Sequence, residues 1–128
     1  MRRTEAVAAT IAIALVAALG APGAGLAQDE TLPELVAEGE VVFNENCAAC
    51  HGANGEGTGN GPGLSGNTNV ESRAHVINQV LWGDSDHGMP AFSDVLDDRD
   101  IAAVATYVRN SWENDYGIIF PRSVELRR

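Results

Sequence analysis

The stretch Asn46-Cys47-Ala48-Ala49-Cys50-His51-Gly52 decides how the rest of the chain is read. Two thiols stand three positions apart, and an imidazole follows the second directly. Cys47 and Cys50 are the only cysteines among 128 residues. Two cysteines exclude a disulfide-rich scaffold and a four-thiolate zinc site within one chain. Three readings compete for the pair. A Cys47–Cys50 disulfide or a thioredoxin-like redox site uses the same spacing. Zinc would need two further ligands, which His51, His75 and His87 could supply, but this spacing matches no common structural zinc site. The third reading is attachment of a cofactor through both sulfurs.

Working outward to the N-terminus, residues 1–27 have the pattern of an export signal. Arg2 and Arg3 make a positive start, Ala6–Leu19 is 14 residues without a charge, and Gly25-Leu26-Ala27 offers small residues for cleavage. The alternative is an uncleaved anchor. Fourteen helical residues at about 1.5 Å each span roughly 21 Å, short of a ~30 Å hydrocarbon core. Gly20–Gly25, with Pro22, then interrupts any longer helix. The sequence therefore predicts cleavage and a mature chain beginning near Gln28, in an oxidising compartment outside the cytoplasm. The mature part, 28–128, is long enough for one domain.

In such a compartment C-x-x-C-H is the attachment motif of c-type haem. Thiols at this spacing reach the two vinyl groups of one porphyrin and form thioethers, and the adjoining His51 becomes the proximal iron ligand. A thioredoxin-like site sits beside a βαβ pattern, which this chain lacks. A sixth ligand is then needed, or an open iron face. Met89 is the candidate, because the other methionine, Met1, leaves with the signal. Met89 lies 38 residues beyond His51, between the end of a helix and the stiffening Pro90, and leads to apolar Phe92. His87, beside Asp84 and Asp86, reads as a solvated loop histidine. His75 reads as a helix-surface residue.

The remaining pattern is helical. Leu35, Val36, Gly39, Val42 and Phe43 share one side of a helix that begins at Pro33-Glu34 and runs toward Asn46. Residues 52–68 hold seven glycines and no periodicity, and predict a long functional loop. Asn69 is expected to cap a helix over about 70–82, with Val70, Ala74, Ile77 and Leu81 on one face and Gly83 at its end. Residues 83–91 form another loop. Asp97 caps a helix with Ile101, Val104, Ala105, Val108 and Trp112 on one stripe, and Asp100 suits its first turn. A turn is expected at Asn114–Gly117. The tail 118–128 holds one helix start, Pro121. No stretch alternates as a strand does, so the class is all-α.

These segments resemble class I c-type cytochromes of the bacterial periplasmic kind, from Leu35 to about Trp112. The resemblance rests on Gly39-x-x-x-Phe43, then Cys47–His51-Gly52, Gly61-Pro62-Gly63-Leu64-x-Gly66 and Met89-Pro90-Ala91-Phe92. It ends on Asp98-x-Asp100-Ile101-Ala102-x-Val104-x-x-Tyr107-Val108. It implies the cytochrome c fold, with three main helices and loops wrapped around one covalently bound haem c. It implies that the Pro62 carbonyl accepts from His51 Nδ1, the bond that orients a ligand histidine. It also implies that Gly39 and Phe43 meet Tyr107 where the first and last helices cross, and that Leu64, Phe92 and Leu96 line the haem pocket. The tail Asn110-Ser111-Trp112-x-Asn114-Asp115-Tyr116-Gly117 is similar to cytochrome modules serving periplasmic or membrane-bound dehydrogenases. There a Thr-Pro pair opens a short helix. Phe120-Pro121 stands in that place and lacks the capping hydroxyl.

The function implied is a periplasmic one-haem electron carrier, with His51 and Met89 on iron, redox proteins as partners and no enzymatic activity of its own. Two rivals are a haem sensor or peroxidase-like enzyme with an open iron face, and a subunit held permanently in a dehydrogenase or oxidase complex. Charge narrows the partners. Eight basic residues, all Arg, stand against 18 acidic ones, a formal net charge of −10. Arg2, Arg3 and Glu5 together carry +1, so loss of 1–27 leaves about −11. Such a chain is a poor partner for nucleic acid or an anionic membrane surface. The lysine ring of mitochondrial cytochromes is absent, so docking cannot copy that scheme.

Overall fold

The computed structural model describes residue 20 and residues 30–128. The expected export segment 1–27 lies, residue 20 aside, outside them. Among the described residues there are five α-helices and no strand. They are α1 (Leu32–Asn46), α2 (Ala48–His51), α3 (Arg73–Trp82), α4 (Asp98–Asn110) and α5 (Pro121–Glu125). Three main helices joined by long loops are the all-α architecture expected.

Helix α1 starts at Thr31, whose backbone N–H and hydroxyl both donate to the Glu34 carboxylate, with Pro33 in the first turn. Its buried residues are Leu35, Gly39 and Phe43, with Val36 and Val42 half-buried beside them. That stripe lies on α4, the most extensive helix–helix contact of the molecule. Gly39 makes the crossing close. A Cβ there would stand 2.0 Å from the Ala103 carbonyl oxygen and 2.6 Å from Tyr107 Cβ. Next to it Phe43, Tyr107 and Trp112 pack as three mutually tilted rings, with centroids 5.3, 5.4 and 5.5 Å apart. Outside this seam, Arg99 forks onto Glu38 with two 2.8 Å bonds and ties α4 to α1 again.

Helix α4 has the cap that its sequence predicts. Asp97 accepts from the Asp100 N–H at 2.8 Å, and Asp100 accepts from the Asp97 N–H at 3.4 Å. Its burial is wider than one stripe: every residue from Ile101 to Arg109 is buried. The helix is the central member, touched by α1, α3 and α5 from different sides.

Three expectations need correction. Helix α3 does not start at Asn69. The Asn67 side chain accepts from the Asn69 N–H and sets a 3₁₀ turn, Thr68–Glu71; Ser72 then caps α3 by accepting from the His75 N–H. Ser72 is the better cap because the preceding turn already uses the Asn69 backbone. Val76 joins Ile77 and Leu81 in the core, while Ala74 is only half-buried. Trp112 does not extend the α4 stripe. The helix stops at Ser111, and Trp112 turns with φ 58°, the one non-glycine residue in the left-handed region among the described residues. The turn therefore sits at Ser111–Asn114, closed by Asn114 N–H on the Ser111 carbonyl at 2.9 Å, and not at Asn114–Gly117.

Residues 114–120 run extended along α4. Thr106 Oγ1 donates to the Ile119 carbonyl and accepts from the Ile119 N–H. Arg109, 2 % exposed, donates to the carbonyls of Val70, Glu71, Tyr116 and Gly117. Burial lowers its pKa, the nearby Arg73 lowers it further, and the guanidinium stays a cation. Helix α5 forms without a capping hydroxyl at Phe120, held by Pro121 in its first turn and by the fully buried Val124. Packing against α4 replaces what the cap would supply.

Candidate haem site

The motif residues occupy one sharp turn. Cys47 ends α1, its N–H on the Phe43 carbonyl at 2.8 Å, and opens α2. Its own carbonyl accepts from the N–H of Cys50 and of His51 at 3.1 and 3.0 Å. A single helical turn thus puts residues 47 and 50 on one face. The two sulfurs are not bonded to each other. Burial, and then the neighbouring Cys50, push the Cys47 thiol up to about 11. Among the described residues no three His, Cys, Asp or Glu side chains converge as metal ligands, so the zinc reading has no partners here.

His51 Nδ1 lies 2.8 Å from the Pro62 carbonyl oxygen. A carbonyl only accepts, so this bond puts the proton on Nδ1 and leaves the Nε2 lone pair for a metal. The loop that carries Pro62 is folded on itself. Gly57 N–H reaches the His51 carbonyl at 2.7 Å, Thr58 Oγ1 the Cys50 carbonyl at 2.6 Å, and Leu64 N–H the Gly55 carbonyl at 2.8 Å. Leu64 lies half-buried against the core, as does Leu96.

Met89 is held by the end of α3. Asp84 and Met89 exchange two backbone bonds of 2.9 Å around the 3₁₀ turn Ser85–His87. Gly83, at φ 68°, lets this hairpin lie close: a Cβ there would stand 2.5 Å from the Met89 carbonyl oxygen. Phe92 and Ser93 then donate to the Val80 and Leu81 carbonyls, two of the acceptors the last turn of α3 leaves open. Met89 and Phe92 are both half-buried. The His87 side chain is 82 % exposed and bonded to Asp84 at 2.8 Å, and His75 is exposed.

The donor set fits covalently attached haem: two unpaired thiols on one turn, an imidazole with only Nε2 left, and a thioether in a braced hairpin. Sequence reasoning did not find Arg109 and Asn114, the buried polar side chains that fasten the loops to α4. An arginine within the apolar stripe of α4 was the available signal for the first. Asn114 was visible only as part of the tail, because its bonds to the loop reach residues 48 and 50 positions away.

Comparison with known proteins agrees. Residues 34–108 match the family described as cytochrome c oxidase, cbb3-type, subunit III. The cbb3-type cytochrome c oxidase subunit FixP of Azorhizobium caulinodans is 37% identical over 94 residues, 63% of this chain and 32% of that protein. The chain spans about a third of the length of such oxidase subunits. Cytochrome c6 of Gracilaria tenuistipitata var. liui is 42% identical over 84 residues, 61% of this chain and 74% of that one. For cytochrome c6 of Diacronema lutheri the figures are 38% over 79 residues, 57% and 92%. With the turn of two thiols and the tethered imidazole, these matches establish that the chain belongs to the class I c-type cytochromes, in the family of the cbb3-type oxidase subunit III, and carries haem c.

Proposed function

We propose that the chain is an exported one-haem electron carrier, with Cys47 and Cys50 as the thioether residues and His51 and Met89 as the axial ligands. Residues 1–27 are its export signal, 28–128 its cytochrome domain, and the periplasm its compartment. The observation that carries the site assignment is the 2.8 Å approach of His51 Nδ1 to the Pro62 carbonyl, which orients the ring and leaves the Nε2 lone pair available to iron. Haem c, when bound, supplies a one-electron Fe(II)/Fe(III) couple. The chain supplies the two ligands, holds the proton on His51 Nδ1, and contributes Leu64 and Phe92 as apolar lining. With His51 and Met89 both holding the iron, no coordination site would remain for a substrate, and the chain would act as a carrier without catalysis of its own.

Replacing Met89 tests the assignment. Met89→Ala should lower the reduction potential and allow the ferrous protein to bind CO, because a thioether ligand favours Fe(II) and occupies the distal face. A reduced-plus-CO difference spectrum and a redox titration measure both. An unchanged potential without CO binding would move the ligand to another side chain and defeat the assignment.

The similarity to oxidase subunits favours a second reading: the same haem domain held permanently in an oxidase or dehydrogenase complex. Isolation from the native membrane and periplasmic fractions separates the two, according to whether the haem migrates alone.

Charge sets the class of partner. Of the six arginines outside 1–27, Arg99, Arg122 and Arg128 are paired with Glu38, Glu125 and Asp98, and Arg109 is buried. What remains to face a partner is mostly carboxylate, with Asp84 and Asp86 beside the Met89 hairpin. Electron exchange should be faster with a basic redox protein than with an acidic one. The advantage should fade as salt rises, since the Debye length is about 10 Å at 0.1 M. Stopped-flow oxidation across a salt series measures it. Rates that ignore ionic strength would assign the acidity to solubility alone.

A further inference from the structure

We propose that Asn114 is a positioning residue for the proximal ligand, fixing the loop whose Pro62 carbonyl holds His51. The inference rests on the assignment of His51 as an iron ligand. Pro62 is itself exposed, has no N–H to donate, and sits in a loop without helix or strand. Most bonds around it are made inside the loop or to the adjoining turn: Leu64 N–H on the Gly55 carbonyl, Asn67 Nδ2 on the Gly63 carbonyl, Gly57 N–H on the His51 carbonyl. Such bonds hold the loop to itself and to the short α2, but none of them reaches α1, α3 or α4.

Asn114 supplies that link. Its Nδ2 donates to the Leu64 carbonyl at 2.9 Å and to the Val108 carbonyl at 2.8 Å, and its Oδ1 accepts from the Gly66 N–H at 2.9 Å. Leu64 is two residues from Pro62. Val108 belongs to the last turn of α4, the most buried helix. One amide, 4 % exposed and with both N–H groups and its oxygen engaged, therefore registers the loop on the central helix. A second, independent feature points the same way. To deliver Asn114, the chain holds Trp112 at φ 58°, a conformation costly for a large side chain and kept only where the surroundings over-determine it. The Trp112 ring closes over the other end of the loop, where a Cβ on Gly55 would stand 2.5 Å from its Cζ3. The loop is thus gripped at Gly55 by the ring and at Leu64–Gly66 by the amide, with Pro62 between.

Two consequences follow for His51. A Pro62 carbonyl held in place keeps the Nδ1–H bond short, and a strong bond there raises the electron donation of the ring to iron. Loosening the grip should weaken that bond, favour Fe(II), and raise the potential. The experiment uses the haem-loaded protein. Covalent haem and His51 ligation in the wild type are verified first by haemochrome and NMR spectra; their absence would overturn the reading on which the inference rests. Asn114→Ala and the same-shaped Asn114→Asp, which loses both donors, are then compared with Val124→Ala, a buried truncation in α5. In the Asn114 variants the His51 Nδ1–H should exchange with solvent at least tenfold faster. The ferrous form should gain about threefold over the ferric, roughly 28 mV from 59 mV per tenfold for one electron. Val124→Ala should lower the melting temperature without either change. In the wild type, the Gly66 N–H and His51 Nδ1–H should show the same denaturant dependence of exchange, as groups released by one opening do. This measurement stands even if the variants fail to mature. Asn114 variants with unchanged Nδ1–H exchange and potential, or different denaturant dependences in the wild type, would reduce Asn114 to an anchor for the tail.

Discussion

The double variant Cys47→Ser/Cys50→Ser is expected to carry no haem that survives denaturation, a complete loss where the wild type retains all of it. Each single serine variant should keep at most one thioether and accumulate little mature protein. The reason lies in the turn. Residues 47 and 50 share one face of a single helical turn because the Cys47 carbonyl takes the N–H of both Cys50 and His51, so both sulfurs would reach the same porphyrin. Serine leaves this backbone intact and removes only the sulfur. Denaturing gels stained for haem, with intact-mass measurement, give the result directly. Haem still covalently bound to the double variant would defeat the assignment of both cysteines.

Gly39→Ala is expected to produce the largest loss of stability of any single methyl added to this fold. The new Cβ would stand 2.0 Å from a backbone oxygen of α4, which no rotamer change can move aside. Helices α1 and α4 would have to separate along their whole crossing, and the Phe43–Tyr107–Trp112 ring cluster would open with them. Overpacking of a core costs typically about 1–3 kcal/mol and occasionally more. A rigid backbone contact at the main helix crossing belongs at the upper end, about 3 kcal/mol. For a domain of this size that is a fall in melting temperature of roughly 12–24 °C. Gly59→Ala, the same chemical change where nothing lies within 4 Å, should move the midpoint by no more than a few degrees. Thermal unfolding of both variants at equal haem content makes the comparison. Equal midpoints would mean that the crossing yields more readily than its geometry indicates.

The parts of this protein that local chemistry controls were legible in the amino-acid order. Cys47–His51 declared its ligand class because thioether attachment depends on spacing along the chain alone. Asp97 and Asp100 declared the start of α4 because a capping box closes within four residues. Gly83 declared the end of α3, since its backbone needs φ 68°. Met89 could be singled out because the sequence holds no other methionine beyond Met1.

The remaining features belong to contacts between segments far apart in sequence. Asn69 resembles a cap as closely as Ser72 does, and the choice falls to Ser72 only because Asn67 draws Asn69 into a 3₁₀ turn. Helix α5 lacks a capping hydroxyl, yet forms because Val124 finds a buried place against α4. Trp112 continues the periodicity of α4 on paper, while the ring cluster and the bonds of Asn114 turn it out of the helix. Composition, spacing and caps determined the cofactor, the helices and the charge, because each acts over a few residues. Where the Pro62 loop stands relative to α4 was decided only in three dimensions, by an amide and an indole that meet the loop some fifty residues further along the chain.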